Sequence, residues 1–324
     1  SFGGAMKLAD VFSDLEPLEQ NEGPQPVVQI AATPQFVEVM GYFRRVLVNQ
    51  EFSQRALQLS AQAIALNAAN YTAWQFRRRC LTELHAASSE EQRLAAWRDE
   101  LEFCDEQCRN NMKNYQVWFH RRACVEQVGE PQKELQFIEE ILAEDAKNYH
   151  AWGHRQWALR TYSLWADELS FVERLIKEDL RNNSAWNQRY YVLQHTTDIK
   201  SPEVVKAEIA FASKWIEIEP NNDSSWAYLK GIVRPVGYSA YPEVQQMCER
   251  LAAGALDEAA GPTQEGDASK ICLNALSLLV DILQAQNTPE GTARAEALCK
   301  QLQRLDPIRI NYWIWRAQQP RAMG

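Results

Sequence analysis

Two short stretches of this sequence carry the residue types best suited to chemistry. The stretch KNY at residues 113–115 recurs 34 residues later as KNYH at residues 147–150. If both occupy equivalent positions in successive structural repeats, two lysines, two phenols and an imidazole lie side by side along one edge. Lysine binds phosphate oxygens as a point charge, and tyrosine binds them as a hydroxyl donor. We expect this set, named the basic ledge, to hold a diphosphate; its members are Lys113, Tyr115, Lys147, Tyr149 and His150.

The chain shows no complete catalytic apparatus of its own. It lacks a phosphate-binding glycine loop, a His-Glu-x-x-His motif, a nucleophile elbow and an Asp-Asp-x-x-Asp motif for metal-bound prenyl diphosphate. His150 and His154 stand one helical turn apart, as do Cys104 and Cys108, but neither pair has a further ligand at suitable spacing. We therefore expect no metal site here.

Cysteine usage indicates a reducing compartment. The seven cysteines are an odd number, and they fall on apolar helical stretches, where a free thiol packs as a small hydrophobic group. No stretch resembles a signal peptide or a membrane span. These features favour a cytoplasmic location.

A recurring Asn-Tyr-x-x-Trp frame predicts the helices that position the basic ledge. Asparagine caps helix N-termini well, so each frame predicts a helix that begins directly after it. Three tryptophans are 34 residues apart, which fits two helices and two turns, and longer gaps elsewhere suggest loop insertions. Full copies begin at Asn70, Asn114, Asn148 and Asn311, and copies without the tyrosine begin at Asn182 and Asn222.

These units predict an all-α fold, a right-handed α-α superhelix of helical hairpins that forms a tetratricopeptide-like crescent. In four frames an arginine stands three residues after the tryptophan and is expected to stack on the indole and to pair with a carboxylate of the neighbouring helix; these are Arg77, Arg121, Arg155 and Arg189. His120 and His154 are expected to be structural hydrogen-bonding residues. The frame tyrosines Tyr71, Tyr115 and Tyr149 lie at helix N-termini, where anions are favoured, so their role is either packing or binding.

Composition and charge narrow the classes further. With 46% hydrophobic residues, 24% charged residues and 11 tryptophans, the chain can bury a large core. A net charge of -9 opposes general binding to nucleic acid or to an anionic membrane, so an anion site must be local. We expect residues 1–5 to be a vector-derived remnant, residues 6–35 an extended N-terminal segment and residues 36–324 one repeat domain. The region 231–241 and the small, acidic region 254–266 are expected to be surface loop.

Several longer strings resemble the α subunit shared by protein farnesyltransferase and type I protein geranylgeranyltransferase. The resemblance extends over residues 12–315, whereas tetratricopeptide arrays in general share the period without the strings. The strings are GPQPVVQI (23–30), LNAANYT (66–72), KNYQVW (113–118), DAKNYHAW (145–152) and NNSAWNQRY (182–190). Phe119, Gly153 and the insertion at 86–96 depart from animal members, which suggests a divergent, fungal one.

The resemblance implies a heterodimer in which a β subunit carries zinc, which binds and deprotonates the substrate thiol. It also implies a magnesium requirement for farnesyl transfer. The enzyme moves a farnesyl or geranylgeranyl group from its diphosphate to the cysteine of a C-terminal Cys-a-a-X sequence, as in small GTPases. By resemblance Lys113 stabilises the leaving diphosphate, Tyr149 and His150 hydrogen-bond it, and Gln116 reaches the peptide carboxylate. Asn148, Tyr115 and Tyr71 complete the expected substrate contacts.

Two alternatives share the same repeat architecture. One is a non-catalytic scaffold that binds peptides, and the other is the α subunit of Rab geranylgeranyltransferase, whose strings fit less well. A scaffold has no need for Lys113, Tyr149 and His150 to converge, whereas the transferase does.

Overall fold

The fold is helical throughout the part of the chain that the computed structural model describes. Described are residues 7–21, 23–25, 27–28, 31–256 (without the side chains of 254–256) and 271–319. No β-strand occurs among them, which confirms the all-α prediction. The predicted remnant at 1–5 lies outside the described residues.

The chain divides into two compact units, Ser1–Leu164 and Trp165–Gly324. The first contains α1 (Leu8–Val11), α2 (Pro34–Asn49), α3 (Gln54–Leu66), α4 (Tyr71–Leu84), α5 (Glu90–Asn110), α6 (Tyr115–Val128), α7 (Gln132–Glu144) and α8 (Tyr149–Tyr162). The second contains α9 (Glu168–Glu178), α10 (Asn183–Thr196), α11 (Pro202–Ile218), α12 (Asp223–Val233), α13 (Pro242–Leu256), α14 (Leu273–Gln286), α15 (Pro289–Leu305) and α16 (Ile310–Ala317). The expected boundaries at residues 6, 35 and 36 stay predictions.

Successive helices pack as hairpins within each unit. In the first unit the pairs are α3 with α4, α5 with α6 and α7 with α8, and in the second they begin with α9 and α10. The second helices of neighbouring hairpins also touch, α4 with α6 and α6 with α8. The N-termini that carry the ledge residues therefore belong to adjacent helices.

The asparagine of the frame caps its helix in five of the six copies. Its Oδ1 accepts the backbone N–H of the second helical residue, which satisfies one of the unpaired amides of the first turn. The caps are Asn70, Asn114, Asn148, Asn182 and Asn222. The prediction is wrong for Asn311, which lies inside α16; that helix begins at Ile310 after a 3₁₀ turn over Pro307–Arg309.

Each frame tryptophan closes the turn that precedes its helix. The indole N–H donates to the backbone carbonyl six residues earlier, at distances of 2.8–3.0 Å in the five capped copies, Trp74, Trp118, Trp152, Trp186 and Trp226. Their side chains are buried, so these indole donors need such a partner. In the last copy Trp313 donates to the carboxylate of Asp306 instead.

In three repeats the arginine stacks on phenylalanine, and for these three the prediction that it stacks on tryptophan is wrong. Because the indole is fixed against its own turn, the guanidinium is covered by a ring from the first helix of the next hairpin. The guanidinium carbon lies 4.0, 3.4 and 3.6 Å from the ring centroid in the pairs Arg77–Phe103, Arg121–Phe137 and Arg189–Phe211. The predicted carboxylate pairing is confirmed, with shortest N–O distances of 2.6–2.7 Å in Arg77–Glu100, Arg121–Glu134 and Arg189–Glu208.

The same buried glutamates bind the second helix of their own hairpin. His120 and His154 each lie 2.6 Å from a carboxylate oxygen, which confirms their expected structural role. Glu100, Glu134 and Glu208 thus each link two hairpins through one arginine and one neutral or basic donor. The donor and glutamate pairs are His120–Glu100, His154–Glu134, Gln188–Glu168 and Tyr228–Glu208.

The extra residues in the long first gap extend a helix rather than a loop, contrary to the prediction. Ser89 and Gln92 form a capping box, and Glu90 and Glu91 occupy the first turn of α5, where carboxylates favour a helix start. Residues 90–96 are therefore helical. In the second unit α12 continues through Val233, so the loop predicted from residue 231 is shorter, and most of the loop predicted at 254–266 lies outside the described residues.

All seven cysteines are free and buried, as expected. Among the described residues no helix is both long enough and apolar enough to cross a bilayer.

Candidate functional site

The ledge tyrosines point to solvent, unlike the tryptophans of the same frames. Tyr115 and Tyr149 are the first residues of α6 and α8, and Tyr71 holds the same position on α4. They are 67%, 73% and 68% exposed. Side chains this exposed contribute little to the core of this chain, so the tyrosine column is not explained by packing within it.

His150 joins the two halves of the ledge. Its ring lies edge-on to both phenols, with centroid distances of 4.3 Å to Tyr115 and 5.5 Å to Tyr149. Partial burial lowers the pKa of its imidazole, and a hydrogen bond in which its ring N–H donates to the Lys113 backbone opposes that shift. The structure therefore brings Tyr115, Tyr149 and His150 into ring contact, with the Lys113 backbone beside His150.

The side chain of Lys113 extends into solvent. Its side chain is 81% exposed, and its Nζ lies 3.5 Å from an Oδ atom of Asp145, at the end of α7. An exposed pair of this kind contributes about 0–1 kcal/mol, so it does not fix the ammonium in place. The Lys113 side chain is free to reorient toward an anion.

Asn148 aligns the two halves of the ledge, at the start of α6 and the start of α8. It is only 2% exposed, and its Oδ1 caps α8 by accepting the N–H groups of His150 and Ala151. Its Nδ2 donates to the carbonyl of Met112, directly before Lys113. The structure therefore gives Asn148 a positioning role, and its expected contact with substrate stays a prediction.

Gln116 is the second residue of α6, with its backbone N–H bonded to Asn114 and its side chain partly exposed. It stands beside Tyr115 on the ledge. Phe119, one turn further along, is 58% exposed, and a Cβ on Gly153 would meet open space. Phe119 and Gly153, the expected departures from animal members, thus lie at the surface of α6 and α8.

Sequence reasoning missed Asp145 as a neighbour of the ledge. It stands three residues before the capping Asn148, and Asn67, Asp179 and Glu219 hold the same place before other caps. A signal was present, because a basic residue directly before one cap and an acidic residue three before the next cap occur in more than one repeat.

One cluster of metal-ligand types occurs among the described residues, formed by Cys104, His120 and Cys124. The two Sγ atoms are 3.9 Å apart. Both nitrogens of His120 are already engaged, Nε2 by Glu100 and Nδ1 by Arg78, and all three side chains are fully buried. We assign the cluster to the core, since a catalytic zinc needs an open position for substrate.

Four segments match the protein prenyltransferase alpha subunit repeat, at residues 53–84, 97–128, 131–162 and 165–196. These segments correspond to the helical hairpins described above.

Three similar proteins share one name, and two of them match over almost the whole chain. The chain is 38% identical to the protein farnesyltransferase/geranylgeranyltransferase type-1 subunit alpha of Pisum sativum, over 96% of this chain and 93% of the relative. It is 37% identical to the Solanum lycopersicum subunit of the same name, over 96% of this chain and 90% of the relative. The Schizosaccharomyces pombe subunit is 35% identical over 35% of this chain, so a fungal origin stays a prediction.

A solved structure shows the same fold. A chain of the Candida albicans protein geranylgeranyltransferase-I complexed with GGPP aligns with a TM-score of 0.79 and 26% identity. The alignment covers 95% of this chain and 98% of that chain. The chain therefore belongs to the family of protein farnesyltransferase and geranylgeranyltransferase type-1 α subunits.

Proposed function

We propose that this α subunit supplies the diphosphate-binding wall of a heterodimeric protein prenyltransferase. Its β subunit partner completes the active site, and the joint enzyme transfers a farnesyl or geranylgeranyl group to the cysteine of a C-terminal Cys-a-a-X sequence. The observation that carries the proposal is the contact of the His150 ring with Tyr115 and Tyr149 at the adjacent N-termini of α6 and α8, next to the exposed Lys113. A peptide-binding scaffold has no use for this arrangement.

The reaction breaks the bond between the prenyl carbon and the diphosphate oxygen, so negative charge grows on the leaving group. A cation that meets this charge stabilises the transition state more than the ground state, which raises the rate. Lys113 is the exposed cation at this position, and it can follow the departing diphosphate. Tyr149 adds a hydroxyl donor from the start of α8, where the helix dipole also favours an anion.

The peptide side of the site uses different residues. Gln116 would donate its amide N–H to the terminal carboxylate of the Cys-a-a-X sequence, and Tyr115 lines the same face. Tyr71 stands one repeat earlier, on α4, at the rim where a peptide or product passes.

Metal chemistry belongs to the partner in this proposal. The cluster of three ligand-type residues in the described part of this chain is buried and already bonded, so it does not fit a zinc that must bind a substrate thiol. Zinc on the β subunit would lower the pKa of that thiol. Magnesium in the farnesyl reaction would neutralise diphosphate charge. The free cysteines fit a cytoplasmic enzyme acting on small GTPases and similar proteins.

The test is co-expression with each of the two kinds of β subunit, followed by transfer assays. We expect a stable heterodimer that attaches farnesyl from one pairing and geranylgeranyl from the other to a Cys-a-a-X peptide. A peptide with serine in place of the cysteine is the control. An active enzyme formed without this chain would refute the proposal.

A further inference from the structure

A basic residue directly before one capping asparagine pairs with an acidic residue three before the next. In the first unit Lys113 pairs with Asp145 at 3.5 Å. In the second unit Arg181 pairs with Glu219 at 3.0 Å, through a hydrogen bond. The repeat therefore builds an ion pair at this place, and in one copy the cation is the ledge lysine.

Besides its ion pair with Lys113, Asp145 accepts a hydrogen bond that holds its carboxylate in place. One carboxylate oxygen accepts the backbone N–H of Lys147, while the other faces Lys113. The Asp145 side chain is 30% exposed. The carboxylate of Asp145 is thus held beside the Lys113 ammonium and the Lys147 backbone amide.

From this geometry we propose that Asp145 is the resident counter-ion of Lys113, which a prenyl diphosphate must displace, and that its charge weakens diphosphate binding and hastens diphosphate release. This inference rests on the proposed function. Asp145 acts through Lys113 and by repulsion, without a contact to the reacting atoms.

The negative charge of Asp145 should weaken the binding of an anionic ligand beside it. A diphosphate carries several negative charges and outcompetes one carboxylate for an exposed ammonium, but the carboxylate stays close because its other oxygen holds the Lys147 amide. Repulsion across a partly solvated gap of this kind reduces affinity by about threefold to tenfold at moderate salt. Removing the charge should therefore tighten diphosphate binding.

An earlier repeat of the chain shows which residue can replace Asp145. Asn67 occupies the place of Asp145 in an earlier repeat and makes the same turn bond, with its Oδ1 accepting the N–H of Ala69 at 3.1 Å. Asp145→Asn should therefore keep the turn and remove only the charge. Asp145→Glu keeps the charge, and Glu219→Gln removes the matching charge beside Arg181, away from the ledge.

The experiment measures inhibition of the purified heterodimer by inorganic diphosphate, at fixed free magnesium and two salt concentrations. We expect Asp145→Asn to lower the inhibition constant by about threefold to tenfold, less at high salt, with Asp145→Glu and Glu219→Gln near the parent value. An unchanged or raised constant for Asp145→Asn, in a variant with the parent melting temperature, would overturn the inference.

A second background separates this inference from the proposed function. In the Lys113→Ala background, adding Asp145→Asn should change the inhibition constant by less than about twofold. The reason is that part of the effect of Asp145→Asn is the release of Lys113. If Lys113→Ala binds diphosphate as well as the parent does, the proposed function fails. If Lys113→Ala weakens binding while Asp145→Asn changes nothing, only the counter-ion role fails.

Discussion

At the scale of single residues, the Asn-Tyr-x-x-Trp frame places its tyrosine in solvent and its tryptophan in the core. Tyr149 is 73% exposed, whereas Trp152, three residues later, is 6% exposed. The tryptophan holds the turn, and the tyrosine is left for a ligand. His150 lies between them in sequence and joins the tyrosine side, since its ring contacts both phenols of the ledge.

The protonation of His150 leads to a testable pH dependence. Burial lowers the pKa of this imidazole from its ordinary value of 6.5, so the ring is neutral at pH 7, and its N–H is used by the Lys113 backbone. The other nitrogen can donate to a diphosphate oxygen only after it gains a proton. Binding should therefore take up a proton and tighten as pH falls.

The measurement is the dissociation constant of prenyl diphosphate from the heterodimer between about pH 8 and pH 6, in the parent and in His150→Gln. The variant controls for titration of the diphosphate itself. We expect a steeper tightening in the parent. Parallel curves would show that His150 does not bind the diphosphate as a cation.

At the scale of elements, capping and buried ion pairs align the ledge. Asn148 caps α8 and also reaches the Met112 carbonyl, so one side chain sets the start of α8 relative to Lys113. Further into the hairpins, Glu134 is bound by Arg121 from α6 and by His154 from α8. These contacts connect repeat stability to the position of the site.

Substitution of Asn148 should separate capping from alignment. Asn148→Asp keeps a capping oxygen and loses the donor to Met112, whereas Asn148→Ala loses both. We expect Asn148→Ala to destabilise the chain by about 1–3 kcal/mol and Asn148→Asp by less. Thermal unfolding of the heterodimer measures the first effect.

Transfer rates measure the alignment. Both variants should lose activity, because both release the Lys113 loop from α8. Asn222→Ala, which removes the cap of α12 and a matching side-chain bond to the Leu180 carbonyl in the second unit, is the matched control and should retain most of its activity. Full activity in Asn148→Asp would contradict the alignment role.

The Glu134 network predicts an acid-sensitive first unit. Burial alone would raise the pKa of this carboxyl, but the hydrogen bond from His154 and the charge of Arg121 lower it from 4.5 to about 2. A carboxyl with a lowered folded pKa stabilises the fold above its ordinary pKa, and that contribution is lost as pH falls from 4.5 toward 2.

Glu134→Gln should therefore cost roughly 3 kcal/mol or more at neutral pH, because Arg121 keeps a buried charge with one partner fewer. The cost should shrink as the pH falls. Urea unfolding of the heterodimer at several pH values tests this, with Glu140→Gln on the exposed side of α7 as the control. A cost that does not change with pH would contradict the assignment.

Sequence reasoning succeeded where the physics is local. Asparagine at the caps, the spacing of the tryptophans and the adjacency of Lys113 to Tyr115 depend on neighbours along the chain, and the structure confirms the helices they predict. It failed where tertiary packing decides. The ring beneath Arg121 comes from α7 rather than from Trp118, and Asn311 is overtaken by a helix that begins earlier. Asp145 was missed because its partner lies 32 residues away.

At the scale of the whole molecule, the chain is an acidic protein with a small local set of cations. A net charge of -9 gives no broad attraction for anions, so diphosphate binding depends on the few groups of the ledge. Substituting one of them should change catalysis strongly and stability little, since Lys113 is largely exposed.

The most direct test of the account is the single-turnover rate of prenyl transfer by the heterodimer with Lys113→Ala. The matched control is Arg181→Ala, which removes the cation at the same repeat position in the second unit. We expect the Lys113→Ala heterodimer to assemble and melt as the parent does and to transfer prenyl about 100-fold more slowly, while Arg181→Ala stays near the parent rate. A parent-like rate in Lys113→Ala would contradict the account.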